Sequence, residues 1–326
     1  MDSSDTTEFD GHGGDLAAAE GRFGAPPAPG WLDLSTGINP FPYPNVDVAS
    51  DILHRLPSSA ALERLIVAAR GYYRVPQGAV ITAAAGTQQL IQSLPRLLPG
   101  ATVSIAGPTY SEHELAWRRA GRAIVAENRA EIAVVVNPNN PDGRIMTGLP
   151  EAGTVIVDEA FGDVVPETSA VASTPGGRVI VLKSFGKFFG LAGLRLGFCV
   201  SSTAFALKLL EELGPWAVSG PALEIGARAL GDEAWIVATR KRLLEARQDL
   251  DRVLAVAGFE ILGGTDLFRL VALPAARSIH DHLGRAGILV RGFADRPTWL
   301  RFGLPGSKSD LARLDSALTG YARSSR

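Results

Sequence analysis

The 326-residue chain has one cysteine, Cys199, so no disulfide framework can hold it together, and a reducing compartment is expected. Cys199 sits in the apolar run from Leu196 to Val200 and reads as a buried strand residue, not a nucleophile. A basic surplus is also missing: 32 Lys and Arg face 34 Asp and Glu, a net charge of −2. With no basic tract either, nucleic acid and anionic membranes are excluded as main partners. No apolar stretch reaches the ~20 residues of a membrane span. The acidic, polar first ten residues are the opposite of a secretory leader. With 46% apolar and 20% charged residues, a cytoplasmic globular protein is expected. Several motifs are absent. Neither G-x-x-x-x-G-K-[ST] nor G-x-G-x-x-G occurs, which removes the nucleotide loops. Ser184-x-x-Lys187 is not followed by the Ser-Asp-Asn and Lys-Thr-Gly of penicillin-recognising enzymes. His280 and His282 fall on different faces of a helix with no third ligand, so a solvated helix and no metal are expected.

The pattern that is present is α/β. Residues 1–10 read as disordered, and 11–44, rich in Gly and Pro, as an extended arm. Residues 60–73 have helical spacing. Short β-rich runs then alternate with helical segments, at 79–82, 102–106, 132–137, 154–158, 178–182 and 196–200, as in a mainly parallel sheet covered by helices. A run such as Ile132-Ala-Val-Val-Val136 is apolar throughout and predicts a strand buried on both faces. A long helical stretch follows Pro221 to about residue 257, then strands at 267–272 and 288–291. The expected organisation is an arm over 1–40 belonging to the small domain, a large domain over 41–230 and a small C-terminal α/β domain over 231–326.

The chemistry is concentrated at strand ends. The segment from Leu182 to Gly197 carries Ser184, Lys187 and Arg195 among glycines at 186, 190, 193 and 197, which let backbone approach closely. A lysine among apolar neighbours can lose its proton and attack an aldehyde, and a hydroxyl with a guanidinium suits a phosphate. An exposed glycine loop with a surface lysine is the rival reading of that segment. Asp158 ends the apolar run from Thr154, at the edge where open α/β sheets bind ligands. Asn137-Pro-Asn-Asn-Pro-Asp-Gly143 is a turn-forming loop by composition, and it follows a buried strand. Gly86-Thr87 joins a strand to a helix start, whose N–H groups attract anions. Tyr110 follows another strand; it either stacks on a bound ring or packs as an ordinary tyrosine.

In order and spacing, Gly86-Thr87, Tyr110, Asn140-Pro-Asp-Gly143, Asp158, Ser184-x-x-Lys187 and Arg195 resemble the fold type I, aspartate aminotransferase-like pyridoxal 5′-phosphate enzymes, from about residue 11 to the end. The resemblance implies a large, mostly parallel sheet domain plus a smaller α/β domain. It implies Lys187 as the Schiff-base lysine and Asp158 as partner of the pyridine nitrogen. Asn140 would bond the ring hydroxyl, Tyr110 would stack on the ring, and Gly86, Thr87, Ser184 and Arg195 would hold the phosphate. A homodimer is also implied.

Within that family the chain is similar to the branch that decarboxylates L-threonine O-3-phosphate in cobalamin synthesis. The likeness rests on Gly11-His-Gly-Gly14 with Ser35-Thr-Gly-Ile-Asn-Pro40, on Phe161 where most aminotransferases have tyrosine, and on the segment from Arg291 to Gly306. It implies a small phosphorylated amino acid as substrate, with His12, Gly37, Asn39, Arg291 and Arg301 on the substrate side. The two arginines would take phosphate and carboxylate, in an order left open. Leu56 stands where related enzymes often place a tyrosine that reaches the neighbouring subunit's phosphate site. Two alternatives are a histidinol-phosphate-type aminotransferase and a non-catalytic ligand-sensing module; the latter has no room for a DNA-binding domain before Gly11.

Overall fold

The computed structural model describes residues 12–324. The stretch expected to be disordered, residues 1–10, and Gly11 lie outside the described residues. The chain divides into two compact units, one of Pro42–Val237 and one combining the segment up to Phe41 with the chain from Ala238 onward. In chain order the strands are β1 (Leu32–Asp33), β2 (Ala79–Ala84), β3 (Thr102–Ile105), β4 (Ala123–Ile124), β5 (Ile132–Val136), β6 (Thr154–Asp158), β7 (Val179–Ser184), β8 (Gly197–Ser202), β9 (Glu260–Thr265), β10 (Phe268–Ala272), β11 (Ile288–Leu289), β12 (Arg291–Gly292) and β13 (Trp299–Gly303).

The larger unit is built on a seven-stranded sheet of order β2-β8-β7-β6-β5-β3-β4. From β7 to β4 all neighbours are parallel, whereas β8 runs antiparallel to both β7 and β2. β8 reverses because the twelve residues that link it to β7 form only short turns and return the chain at the same edge, without the helical crossover that a parallel neighbour would require. Ile156, Ile180 and Leu182 of the central strands pack with Leu90 and Leu94 of the helix Thr87–Leu97, Trp117 of the helix Ser111–Arg119 and Leu209 of the helix Thr203–Leu213. Each such side chain contributes roughly 1.5–3 kcal/mol on full burial. The uninterrupted apolar runs are therefore the sequence image of strands covered on both faces.

The other unit holds an antiparallel sheet of order β12-β13-β10-β9 and a separate parallel pair, β1 with β11. Phe268 and Leu270 on one face of its sheet and Leu300 and Phe302 on the other are all buried, as are Ile279, Leu283, Leu314 and Leu318 on the helices Ala276–Arg285 and Lys308–Ser324.

Three expectations are corrected. The arm is not simply extended: Leu16–Phe23 is a helix of good formers, started by Asp15, whose Oδ1 accepts the Ala18 N–H at 2.9 Å. The helical stretch after Pro221 is two helices, Gly220–Gly231 and Glu233–Val256; Asp232 separates them and accepts the Trp235 N–H at 3.0 Å. The helix bearing His280 is not merely solvated: His280 is 6% exposed and lies 5.8 Å from the Phe23 ring, while His282 bonds the Ala317 carbonyl at 3.0 Å. Burial pulls the His280 imidazole below its ordinary value.

Candidate active site

In the larger unit the candidates gather at the C-terminal ends of the parallel strands. Asp158, the last residue of β6, is 2% exposed. Its Oδ1 accepts the Ala160 N–H at 2.9 Å, and its Oδ2 lies 2.9 Å from Nε2 of His113, which is 1% exposed. A carboxylate out of water needs such partners. His113 is a site residue that the sequence reading missed. Helical spacing could place it only beside Tyr110, three residues away on the same face, where their rings meet edge-on at 6.2 Å; its pairing with Asp158 has no local signal. The Tyr110 hydroxyl donates to Gln88 Oε1 at 3.2 Å, and Gln88 Nε2 donates to Glu112 at 2.7 Å, which fixes the ring from its far end.

Gly86 caps the helix Thr87–Leu97 with φ +84°, and no side chain caps the first N–H groups. A methyl group at Gly86 would come within 2.7 Å of the Arg195 guanidinium, and one at Gly197 within 2.6 Å of the Thr87 nitrogen. Arg195 itself is exposed and left-handed, φ +53°, a backbone region that costs a non-glycine residue roughly 1–2 kcal/mol. Ser184 is the ladder partner of Gly197. Gly86, Thr87, Arg195 and Gly197, whose ladder partner is Ser184, therefore meet around one helix N-terminus, where free N–H groups favour an anion. Gly193, by contrast, has nothing within 4 Å of an added methyl group, so the close approach expected there does not occur.

Lys187 lies in a single helical turn, Phe185–Phe188, and not in a loop. Its Nζ stands 5.4 Å from the centroid of the buried Phe161 ring. Asn140 is half-buried in the 137–143 loop. Asn137 pins that loop by accepting the Met146 N–H and donating to the Thr168 carbonyl, both at 3.0 Å. Cys199 is fully buried and its thiol is pushed up to about 12 by burial, so it is no nucleophile.

The remaining candidates belong to the other unit. Arg291 and Arg301 are cross-strand partners of β12 and β13. Arg301 is 5% exposed, lies 5.0 Å over the Phe268 ring and donates to the Ser35 carbonyl at 2.7 Å. Burial, and then the neighbouring Arg291 charge, push Arg301 down to about 9, against the opposing pull of Asp33. Gly37 is buried with φ +63°, Asn39 is buried and caps its own turn through the Phe41 N–H at 2.8 Å, and His12 is exposed.

A mostly parallel sheet that brings an anion seat, a buried carboxylate and a lysine to one edge defines a class of α/β enzyme that holds a phosphorylated carbonyl cofactor. A family model for aminotransferase class I and II matches residues 52–318. The chain is 40% identical to the threonine-phosphate decarboxylase of Pseudomonas aeruginosa, over 95% of this chain and 97% of that one. It is 43% identical to that of a Sinorhizobium species, over 94% and 97%. The solved histidinol-phosphate aminotransferase of Sinorhizobium meliloti, in complex with pyridoxal-5′-phosphate, superposes with a TM-score of 0.83 at 21% identity, over 95% of each chain. The chain belongs to the aminotransferase class I and II family.

Proposed function

We propose that this chain is a pyridoxal 5′-phosphate-dependent carboxy-lyase that converts L-threonine O-3-phosphate to (R)-1-aminopropan-2-yl phosphate in cobalamin biosynthesis. The observation that carries the reading is the near full-length likeness to two threonine-phosphate decarboxylases. The residues fit the cofactor: an uncapped helix start beside Arg195 for its phosphate, a buried carboxylate for its ring nitrogen and an amine for its aldehyde.

When bound, pyridoxal phosphate supplies an electron sink conjugated to the substrate's α-carbon. Asp158, held by His113 and the Ala160 N–H, would keep a proton on the ring nitrogen and so make that sink effective. The amides of Gly86 and Thr87 with Ser184 and Arg195 would anchor the phosphate, Asn140 would bond the ring hydroxyl and Tyr110 would stack on the ring. Lys187 Nζ would hold the cofactor's aldehyde and would supply the proton that Cα takes up in exchange for carbon dioxide. Arg291 and Arg301 receive the two anionic groups of the substrate, with His12, Gly37 and Asn39 beside them. Orientation decides which bond at Cα breaks, so these arginines serve reaction choice as well as affinity.

The working form is a cytoplasmic homodimer. Its support is the set of large apolar side chains left open on one chain, among them Leu53, Leu56 and Trp216 at 68%, 67% and 59% exposure.

The test is product analysis. Holoenzyme given threonine phosphate and no keto acid should release carbon dioxide and aminopropanol phosphate in equal amounts. Glutamate with imidazole acetol phosphate should give no histidinol phosphate. Amino transfer in the second mixture with no carbon dioxide in the first would overturn the reading.

A further inference from the structure

The segment from Asp33 to Ser35 is held more tightly than a turn between a two-residue strand and a loop requires. Asp33 Oδ1 accepts from both the Ser35 N–H at 2.8 Å and the Ser35 hydroxyl at 2.5 Å. Leu34 donates to the Leu289 carbonyl at 2.7 Å, and its own carbonyl accepts the Gly303 N–H at 2.6 Å. The carbonyl of Ser35, in this stitched segment, accepts from Arg301 Nη2 at 2.7 Å.

The arm closes on the same residue. The Gly14 N–H donates to Ser35 Oγ at 2.8 Å. At Gly13 an added methyl group would lie 2.5 Å from the Ser35 carbonyl oxygen. A side chain at position 13 would have to displace that carbonyl or lift the arm, so the glycine is required by contact.

We propose that Asp33 and Ser35, with Gly13 packed on them, form a positioning clamp that fixes the Arg301 guanidinium for a substrate anion; the proposal rests on the reading that Arg301 receives one. A buried cation beside a second arginine lacks the water that would otherwise orient and stabilise it. A fixed carbonyl and a nearby carboxylate replace that water. Asp33 and Ser35 act through Arg301 and are not catalytic residues.

The test compares Asp33→Asn, Gly13→Ala and Arg301→Ala as holoenzymes, together with the double variant Asp33→Asn/Arg301→Ala. Asparagine keeps an oxygen for the two Ser35 donors and removes only the charge. Asp33→Asn and Gly13→Ala should each raise KM for threonine phosphate about tenfold, corresponding to about 1.4 kcal/mol. The change in kcat should be much smaller and the cofactor's visible spectrum unchanged, which also shows that the variants fold. In the Arg301→Ala background Asp33→Asn should add nothing, because residues acting through one group are not additive. Additive effects, or a wild-type KM for Asp33→Asn and Gly13→Ala while Arg301→Ala raises KM, would overturn the clamp alone. A wild-type KM for Arg301→Ala would overturn the reading of Arg301, and the clamp with it.

Discussion

Lys183 and Lys187 are four residues apart and have opposite surroundings. Lys183 is 2% exposed, ion-paired to the buried Glu159 and near Ser169 Oγ at 3.3 Å. Lys187 is half-buried with its Nζ over Phe161. Only Lys187 combines access with an apolar wall. Lys187→Ala should therefore lose the visible absorbance of lysine-bound cofactor even with cofactor in excess, because Lys183 would have to abandon a buried carboxylate to replace it, at roughly 3–5 kcal/mol. An unchanged spectrum would remove Lys187 from its role. Lys187 and Asp158 stood out in the sequence because Asp158 ends an apolar run and Lys187 stands, with Ser184 and Arg195, in the glycine-rich segment that follows another. His113 did not, because its role depends on a pairing with Asp158 across 45 positions that no local pattern reports.

At the scale of elements, the anion seat depends on β8 lying against the start of the helix Thr87–Leu97. Parallel strands were legible from their continuous apolar runs; the reversal of β8 was not, since strand direction is set by the connection and not by the strand's own residues. The contact itself is narrow: Gly197 leaves no space for a methyl group beside the Thr87 nitrogen, and the obstructing atoms are backbone. Gly197→Ala should weaken cofactor retention at least about tenfold by moving the strand from the helix. Arg195→Ala should weaken it roughly ten- to hundredfold, the worth of a charge-assisted phosphate contact of about 1.5–3 kcal/mol. Gly193→Ala, with open space around it, should retain cofactor as wild type does. Dialysis followed by absorbance of the retained cofactor reads all three. Equal retention by Gly197→Ala and wild type would show that the helix start does not carry the phosphate.

Across the whole molecule the two proposed kinds of recognition fall in different units. The residues proposed for the cofactor lie within Pro42–Val237, and the arginines proposed for the substrate lie beyond it. Variants in the second set should therefore change substrate kinetics and leave the cofactor spectrum alone. On the proposed reading a substrate with two anionic groups meets two arginines, of which Arg301 is buried. Removing the substrate phosphate removes one anion–guanidinium pairing, and a site built for a polar group rejects the analogue that lacks it by about 10⁴–10⁵ in favourable cases. Threonine should thus be turned over with kcat/KM at least about a thousandfold below that of threonine phosphate. The variants then assign the arginines. Removing the arginine that takes phosphate should collapse the preference, since only the better substrate loses a contact. Removing the one that takes carboxylate should slow both substrates by similar factors and preserve the ratio. The assay is kcat/KM for both compounds with wild type, Arg291→Ala and Arg301→Ala, each with its cofactor spectrum recorded. A ratio near one in the wild type, or loss of cofactor in both variants, would show that these arginines do not discriminate the substrate's ends.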